Sequence, residues 1–159
     1  MDVARRFQPG KDPEIWDEAT LYKDELLGLL LDPENVQGVY RHVYFSQHMT
    51  NVVFKLEVHG KMFCNVQEWK TWIEVQDTKW SGYFAPCIDI SGNGNVLIMA
   101  RTEPLKEFPK DLLLPDFFSD VKVENFGRLK GRIVCHDYGG SKIFEKGLKN
   151  VKLKPATAL

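Results

Sequence analysis

The middle of the sequence strongly constrains the fold, because it places one helical pattern between two pairs of β-strand patterns. Residues 38–45 and 51–58 are rich in β-branched and aromatic side chains, and a polar turn separates them. Residues 83–90 and 96–100 form the second pair, and the sequence Gly-Asn-Gly-Asn at 92–95 joins them. Glycine and asparagine tolerate the positive φ angles of tight turns. Two antiparallel hairpins are therefore predicted.

Helical spacing appears in two places. A leucine-rich helix is predicted within residues 1–34, and Asp32-Pro33 ends it. A second helix is predicted over residues 64–76, between the two hairpins. Four apolar residues mark one face of this second helix: Val66, Trp69, Trp72 and Ile73.

Beyond residue 100 the pattern is less regular. Residues 102–115 carry three prolines and mixed charges, which leaves room for a short helix at most. A strand is predicted over residues 132–136. A lysine-rich tail covers residues 142–154, and we interpret it as a solvated face, with an acidic partner as the less common alternative.

Composition excludes several classes of protein. The 159 residues are 43% hydrophobic and 27% charged, which is typical of one soluble globular domain. A net charge of −1 leaves nucleic-acid binding unsupported. No apolar run approaches the roughly 20 residues of a membrane span, and no signal peptide is recognisable, so a cytoplasmic location is expected. Cys64, Cys87 and Cys135 lack metal-binding or redox spacing and are interpreted as buried thiols.

Two polar motifs near the C-terminal end suggest chemistry. The string Asp-x-Lys-x-x-Asn-Phe-Gly covers residues 120–127, and Asp137-Tyr138-Gly139 follows a strand-like apolar run. Taken singly, such aspartates and asparagines mostly cap turns. The spacing of the two motifs around one strand favours a functional interpretation instead.

Together the motifs resemble the catalytic loop and the metal-binding loop of protein kinases, and the order of elements from residue 38 to 140 resembles the protein-kinase-like fold. The resemblance implies that Asp120 is the base that accepts the proton of a substrate hydroxyl, while Lys122 offsets charge on the transferred phosphoryl group. It also implies that Asn125 and Asp137 coordinate Mg²⁺.

The same resemblance extends upstream. It implies that Lys55 contacts the α- and β-phosphates of ATP and that Glu68, in the predicted helix, holds the lysine in place. Residues 99–103, including Met99 and Arg101, resemble the hinge that binds adenine. ATP and Mg²⁺ are thus the implied cofactors. Without the other motifs, a lysine at a strand edge and a glutamate on a solvated helix face would be the simpler interpretation of Lys55 and Glu68.

Three departures from the kinase pattern are clear. The hairpin before Lys55 lacks a glycine-rich loop, retaining only Gly38, and Phe118-Ser119 stands where His-Arg is usual. Few residues separate the hinge from the catalytic loop, and no Ala-Pro-Glu motif follows. The predicted fold class is therefore α+β, with an antiparallel N-lobe sheet, one main helix and a strongly reduced C-lobe. A single minimal kinase-like domain over residues 1–159 would comprise an arm and helix (1–34), an N-lobe-like sheet and helix (35–105), a catalytic and metal-loop region (106–140) and a basic tail (141–159).

Three functions are compatible with these features. The first is a minimal protein kinase that transfers the γ-phosphoryl group of ATP to serine or threonine of a protein target. The second is a kinase-like, or pseudokinase, binding or inhibitor module that acts through a protein partner; the extreme compaction would suit a phage-encoded protein in the host cytoplasm. A small-molecule phosphotransferase is the third, and it leaves Lys122 unexplained. A protein target or substrate is the expected partner, membrane association is not expected, and the oligomeric state stays open.

Overall fold

The computed structural model describes residues 35–37, 40–46, 48–57 and 62–158 of the chain. Within these residues the chain has an α+β fold with three antiparallel sheets and two helices. The helix predicted within residues 1–34 lies outside the described residues. Neither helix of the described part has the length and apolarity needed to cross a membrane.

The largest sheet has five antiparallel strands in the order β1-β2-β3-β5-β4. The predicted hairpins are both present, as β2–β3 and β4–β5. The fourth strand starts later than predicted, because a 3₁₀ turn precedes it. The five strands are β1 (Asn35–Gln37), β2 (Arg41–Phe45), β3 (Val52–Glu57), β4 (Cys87–Ile90) and β5 (Val96–Ala100).

The central strand β3 determines where Lys55 lies. Lys55 is paired with Val43 of β2 on one side and with Leu97 of β5 on the other. A slip of one residue in the register of such a strand would move every side chain to the opposite face of the sheet. The Lys55 side chain is thereby held at a buried position, with 4% of the residue exposed.

Helix α1 (Cys64–Val75) lies between β3 and β4 in sequence, as predicted. Its buried side is mainly polar, comprising Asn65, Glu68 and Thr71 together with Val75. The predicted apolar face is wrong at Ile73, which is 48% exposed. The reason is that α1 packs over buried cations of the sheet, and a buried cation needs a carboxylate partner more than it needs an apolar one.

The second half of the chain forms two small sheets, with strand orders β6-β8-β9 and β10-β7. Residues 102–115, where the sequence left room for a short helix, contain strands instead. The sequence analysis also missed β8, which forms a hairpin with β9 across Lys130 and Gly131, both at positive φ. The elements are β6 (Glu103–Pro104), β7 (Leu113–Pro115), β8 (Phe126–Leu129), β9 (Arg132–Cys135), α2 (Ile143–Lys146) and β10 (Leu153–Pro155).

A cluster of aromatic side chains forms the core next to the two polar motifs. Phe84 stacks on Phe117 with ring centroids 5.6 Å apart and meets Tyr138 edge-on at 5.0 Å. Phe118, just before the first motif, lies 5.5 Å from Phe126, the phenylalanine of that motif. These contacts anchor both polar loops to one apolar core, since aromatic edge-to-face pairs are favourable and directional.

The basic tail folds back onto the rest of the chain. Strand β10 pairs with β7, and Ile143 and Ala156 are buried. The tail lysines are exposed, which agrees with a solvated face and equally with the alternative of an acidic partner. Of the three thiols, which are all free, Cys87 and Cys135 are buried as predicted, whereas Cys64 is half-buried.

Candidate functional site

Lys55 and Glu68 form a buried ion pair. The Lys55 Nζ lies 2.9 Å from Glu68 Oε2 and 3.1 Å from Oε1, and the glutamate is fully buried. Lys55 also donates a hydrogen bond to the backbone carbonyl of His136. One ammonium group thus joins the central strand, helix α1 and the segment that leads to Asp137.

Arg41 is a further member of the site that sequence analysis missed. Its Nη1 lies 2.8 Å from Glu68 Oε2, and its Nη2 donates to Asp137 Oδ1 at 2.6 Å. A strand signal could have located it, because Arg41 is two residues from Val43, which pairs with Lys55. Residues two apart on a strand share a face, and so do directly paired residues. Arg41 and Lys55 therefore project from the same face of the sheet.

The charges in this cluster support one another. Burial alone would raise the pKa of the Glu68 carboxyl, but the adjacent Lys55 and Arg41 lower it to about 2. Burial alone would lower the pKa of the Arg41 guanidinium, but the adjacent Glu68 and Asp137 raise it above its ordinary value. Arg41 and Glu68 consequently stay ionised at neutral pH, as buried charges do when they are paired.

Tyr138 fixes the loop that carries Asp137. Its backbone N–H donates to Glu68 Oε1 at 3.0 Å, and its hydroxyl donates to the Ala85 carbonyl at 2.9 Å. The same hydroxyl oxygen lies 3.0 Å from the Cys87 sulfur. With Tyr138 buried, the neighbouring Asp137 side chain is held at the surface of the cluster, where 49% of it is exposed.

The first polar motif forms a compact, exposed group. Asn125 donates from its side-chain amide to the backbone carbonyl of Asp120 at 2.8 Å and to its Oδ2 at 3.0 Å. Lys122 Nζ lies 2.9 Å from Asp120 Oδ1. Hydrogen bonds from Lys122 and Asn125 lower the pKa of the Asp120 carboxyl below its ordinary value. Asp120 is therefore an anion at neutral pH.

His136 connects the two motifs. Its Nε2 donates to the Glu124 carbonyl at 2.8 Å, because a carbonyl oxygen only accepts. Nδ1 then accepts from the Thr102 hydroxyl at 2.7 Å. Burial lowers the pKa of His136, in agreement with a neutral ring. The backbone N–H of His136 also donates to the Asn125 carbonyl at 2.9 Å, so the two loops are joined directly at this point.

A cleft of about 840 Å³ opens above this cluster. Its apolar wall comes from β2 and β3, through Val43, Phe45 and Val53. Arg101 lies at the cleft with its guanidinium 4.5 Å from the Phe45 ring centroid. The polar lining includes Arg41, Lys55, Asn125, His136 and Asp137.

The structure does not bring every candidate residue to the cleft. Met99 is fully buried in the core, whereas the adjacent Ala100 and Arg101 line the cleft. Asp120 and Lys122 lie outside the cleft lining, next to Asn125. The candidate residues thus divide into a cleft group and an exposed group that meet at Asn125.

The donor set near Asp137 fits magnesium only in part. Within the described ranges, no three acidic, histidine or cysteine side chains converge on one point. Asp137 and Asn125 both carry the oxygen donors that Mg²⁺ prefers, and this ion usually takes few protein ligands and completes its shell with water and phosphate oxygens. The residues present therefore fit a magnesium ion that arrives with a phosphorylated ligand.

Known proteins provide no guide to the function. No protein-family model, curated protein or solved structure matches the chain. The function must therefore be inferred from the site itself.

Proposed function

We propose that the cleft binds ATP with Mg²⁺ and that the protein is a minimal kinase-like phosphotransferase acting on serine or threonine of a protein target. The observation that carries this proposal is the convergence on one cleft of Lys55, Asn125 and Asp137, with Glu68 directly behind Lys55. Lys55 comes from β3, whereas Asn125 and Asp137 come from the two polar motifs near the C-terminal end of the chain.

The cleft offers separate places for phosphate and base. Lys55 is held by two oxygens of Glu68, so its ammonium loses little freedom when it binds a phosphate. The apolar wall of Val43, Phe45 and Val53 suits a planar base. A volume of about 840 Å³ lies within the usual range for a small-molecule site, roughly 300–1,000 Å³.

Asp137 and Asn125 would hold the magnesium ion. When bound, Mg²⁺ would supply charge neutralisation for the β- and γ-phosphates. Asp137 is suited to this role because it is half exposed and anchored from behind by Tyr138. Asn125 orients both loops through its backbone carbonyl and its side-chain amide.

The exposed group would act on the acceptor. Asp120 takes the proton from the acceptor hydroxyl while the hydroxyl oxygen forms a bond to the γ-phosphorus and the bond from that phosphorus to the leaving ADP oxygen breaks. Lys122, 2.9 Å from Asp120, places positive charge near the transferred group. The exposure of both side chains leaves room for a protein substrate.

A binding module without catalysis is the second candidate. Both carboxylates that the kinase proposal requires are already paired, Asp120 with Lys122 and Asp137 with Arg41. Such pairs lower the tendency of a carboxylate to take a metal or a proton. A kinase-like module that occupies a partner protein would have no need to release them.

Transfer from γ-labelled ATP tests the proposal. The purified protein is incubated with Mg²⁺ and a cell lysate as a source of acceptors, beside the variants Asp120→Asn and Asp137→Asn. We expect labelled protein with the wild type and a loss of about 100-fold or more with either variant. Asp77→Asn, at an exposed position just after α1, is the matched control and should retain the wild-type rate.

A parallel thermal shift separates the two candidates, because a ligand that binds the native state raises the melting temperature. ATP binding together with transfer supports the kinase proposal. ATP binding without transfer favours the binding module. If ATP with Mg²⁺ neither shifts the melting temperature nor labels any protein, the nucleotide site is wrong.

A further inference from the structure

Arg41 holds a permanent positive charge where a metal ion would be expected. Its side chain is only 11% exposed, yet it lines the cleft. Nη2 contacts Asp137 Oδ1 at 2.6 Å, and both terminal nitrogens contact the Glu68 carboxylate. The pKa of the guanidinium is above its ordinary value, so this charge is present at every physiological pH.

The Lys55–Glu68 pair is already electrically neutral without Arg41. Lys55 alone neutralises Glu68, and Arg41 then balances Asp137, so that the four side chains sum to zero. Both carboxylates of this site are therefore already paired with side-chain cations, unlike the carboxylates of a site that binds two divalent ions. Any metal at Asp137 must share that carboxylate with a guanidinium.

The turn beside the phosphate region adds a second reason for a side-chain cation. The sequence between β2 and β3, residues 46–51, is Ser-Gln-His-Met-Thr-Asn and contains no glycine. Backbone amides can approach phosphates closely where glycine allows unusual φ and ψ angles. In this turn the backbone N–H groups of His48 and Met49 donate to the Ser46 hydroxyl, so a nearby side-chain cation is the more direct source of positive charge for the phosphates.

Resting on the proposed nucleotide-binding role of the cleft, we propose that Arg41 is a phosphate-binding residue that substitutes for part of the metal charge. Its contacts with Glu68 hold the guanidinium plane from behind, while its bond to Asp137 lies on the exposed side and can be exchanged for a phosphate oxygen. A guanidinium matches the geometry of phosphate oxygens and has five N–H donors. The cleft therefore binds ATP with only weak dependence on Mg²⁺.

Direct measurement of ATP affinity tests this inference. The dissociation constant is determined by calorimetry in EDTA and in excess Mg²⁺ for the wild type and Arg41→Gln. For the wild type we expect the two values to agree within about tenfold. For Arg41→Gln we expect binding in EDTA to weaken by roughly 10- to 100-fold, with most of the loss recovered in Mg²⁺. Arg128→Gln, on an exposed position of β8, should match the wild type in both conditions.

Asp137→Asn provides a second test that keeps Glu68 paired with both cations. Removing this negative charge should tighten ATP binding in EDTA, because Arg41 is released and less charge faces the phosphates. The difference between the ATP dissociation constants in EDTA and in Mg²⁺ should disappear. Melting curves for each variant establish that the protein is folded, and Asp137→Asn alone suffices if Arg41→Gln does not fold.

The outcomes distinguish this inference from the proposed function. Equal affinities of folded wild type and Arg41→Gln in EDTA, or a wild type that binds ATP only with Mg²⁺, overturn the inference and leave the nucleotide site intact. Weaker binding by Asp137→Asn than by the wild type in EDTA overturns it as well. Failure of the wild type to bind ATP under either condition overturns both.

Discussion

Lys55 and Glu68 are thirteen residues apart in the sequence, yet the Lys55 ammonium nitrogen lies 2.9 Å from a Glu68 carboxylate oxygen inside the protein. The pair connects the central strand β3 to helix α1. Arg41 approaches the same carboxylate at 2.8 Å. Glu68 therefore contacts two buried cations, and its loss is expected to cost more stability than the loss of Lys55.

Replacing Glu68 should cost more stability than replacing Lys55. In Glu68→Ala, Lys55 and Arg41 both lose their buried partner, and we expect a loss of about 3–5 kcal/mol in the free energy of unfolding. In Lys55→Met the carboxylate keeps Arg41, so the loss should be smaller. Urea unfolding measures both values. Glu74→Ala, exposed on the same helix, should change stability by less than about 0.5 kcal/mol; a larger loss for Lys55→Met than for Glu68→Ala would contradict this account.

Lowering the pH should reduce the free energy of unfolding, because Glu68 becomes protonated. Its pKa falls from 4.5 to about 2 in the folded protein, so the folded state favours the ionised carboxylate. Such a group contributes its full stability above pH 4.5 and loses it as the pH falls through this window towards 2. The charges that face it from β2 and β3 are those of Arg41 and Lys55.

Urea unfolding at a series of pH values measures this effect. Between pH 6 and pH 3 the wild type should lose on the order of 2 kcal/mol more than Glu68→Gln, in which this carboxyl is absent. All other ionisable groups are present in both proteins, so the comparison isolates the Glu68 carboxyl. Parallel pH curves for the two proteins would show that Glu68 does not carry the acid sensitivity.

The Tyr138 hydroxyl should stabilise the loop that carries Asp137. Tyr138→Phe removes the hydrogen bond to the Ala85 carbonyl and leaves that buried acceptor without this donor. We expect a loss of about 1–2 kcal/mol in the free energy of unfolding, measured by chemical denaturation. Tyr83→Phe is the control, because the Tyr83 side chain is only half-buried. Equal, near-zero effects of both changes would mean that the hydroxyl contributes nothing to holding the loop.

Gly127 should be intolerant of any side chain. A Cβ at this position would lie against the Thr102 side chain and 2.8 Å from the Glu103 carbonyl oxygen, and backbone atoms cannot easily give way. Gly127→Ala should lower the free energy of unfolding by about 2 kcal/mol or more and disturb the bond between Thr102 and His136. Gly92→Ala meets no atom within 4 Å and should be nearly neutral. Similar denaturation midpoints for these two variants would contradict the steric argument.

Local signals predicted the main sheet well. The Gly-Asn-Gly-Asn turn and the flanking apolar runs predicted β4–β5, and the β2–β3 hairpin and helix α1 were also found where the patterns indicated. Strand β8 was missed because its first two residues, Phe126 and Gly127, belong to the Asp-x-Lys-x-x-Asn-Phe-Gly motif, although Lys130 and Gly131 both take the positive φ of a hairpin turn. The match to a catalytic-loop motif had been given more weight than the possible turn at Lys130 and Gly131.

The sequence by itself determined the β2–β3 and β4–β5 hairpins and the position of α1, since each depends on neighbours only a few positions away. The tertiary structure alone decided that α1 buries Glu68 and exposes Ile73, and that Arg41 joins Lys55 and Asp137 in one charged cluster. Burial of an ion pair depends on which charges from distant segments meet in a region of low dielectric constant. No periodicity along a single element carries that information.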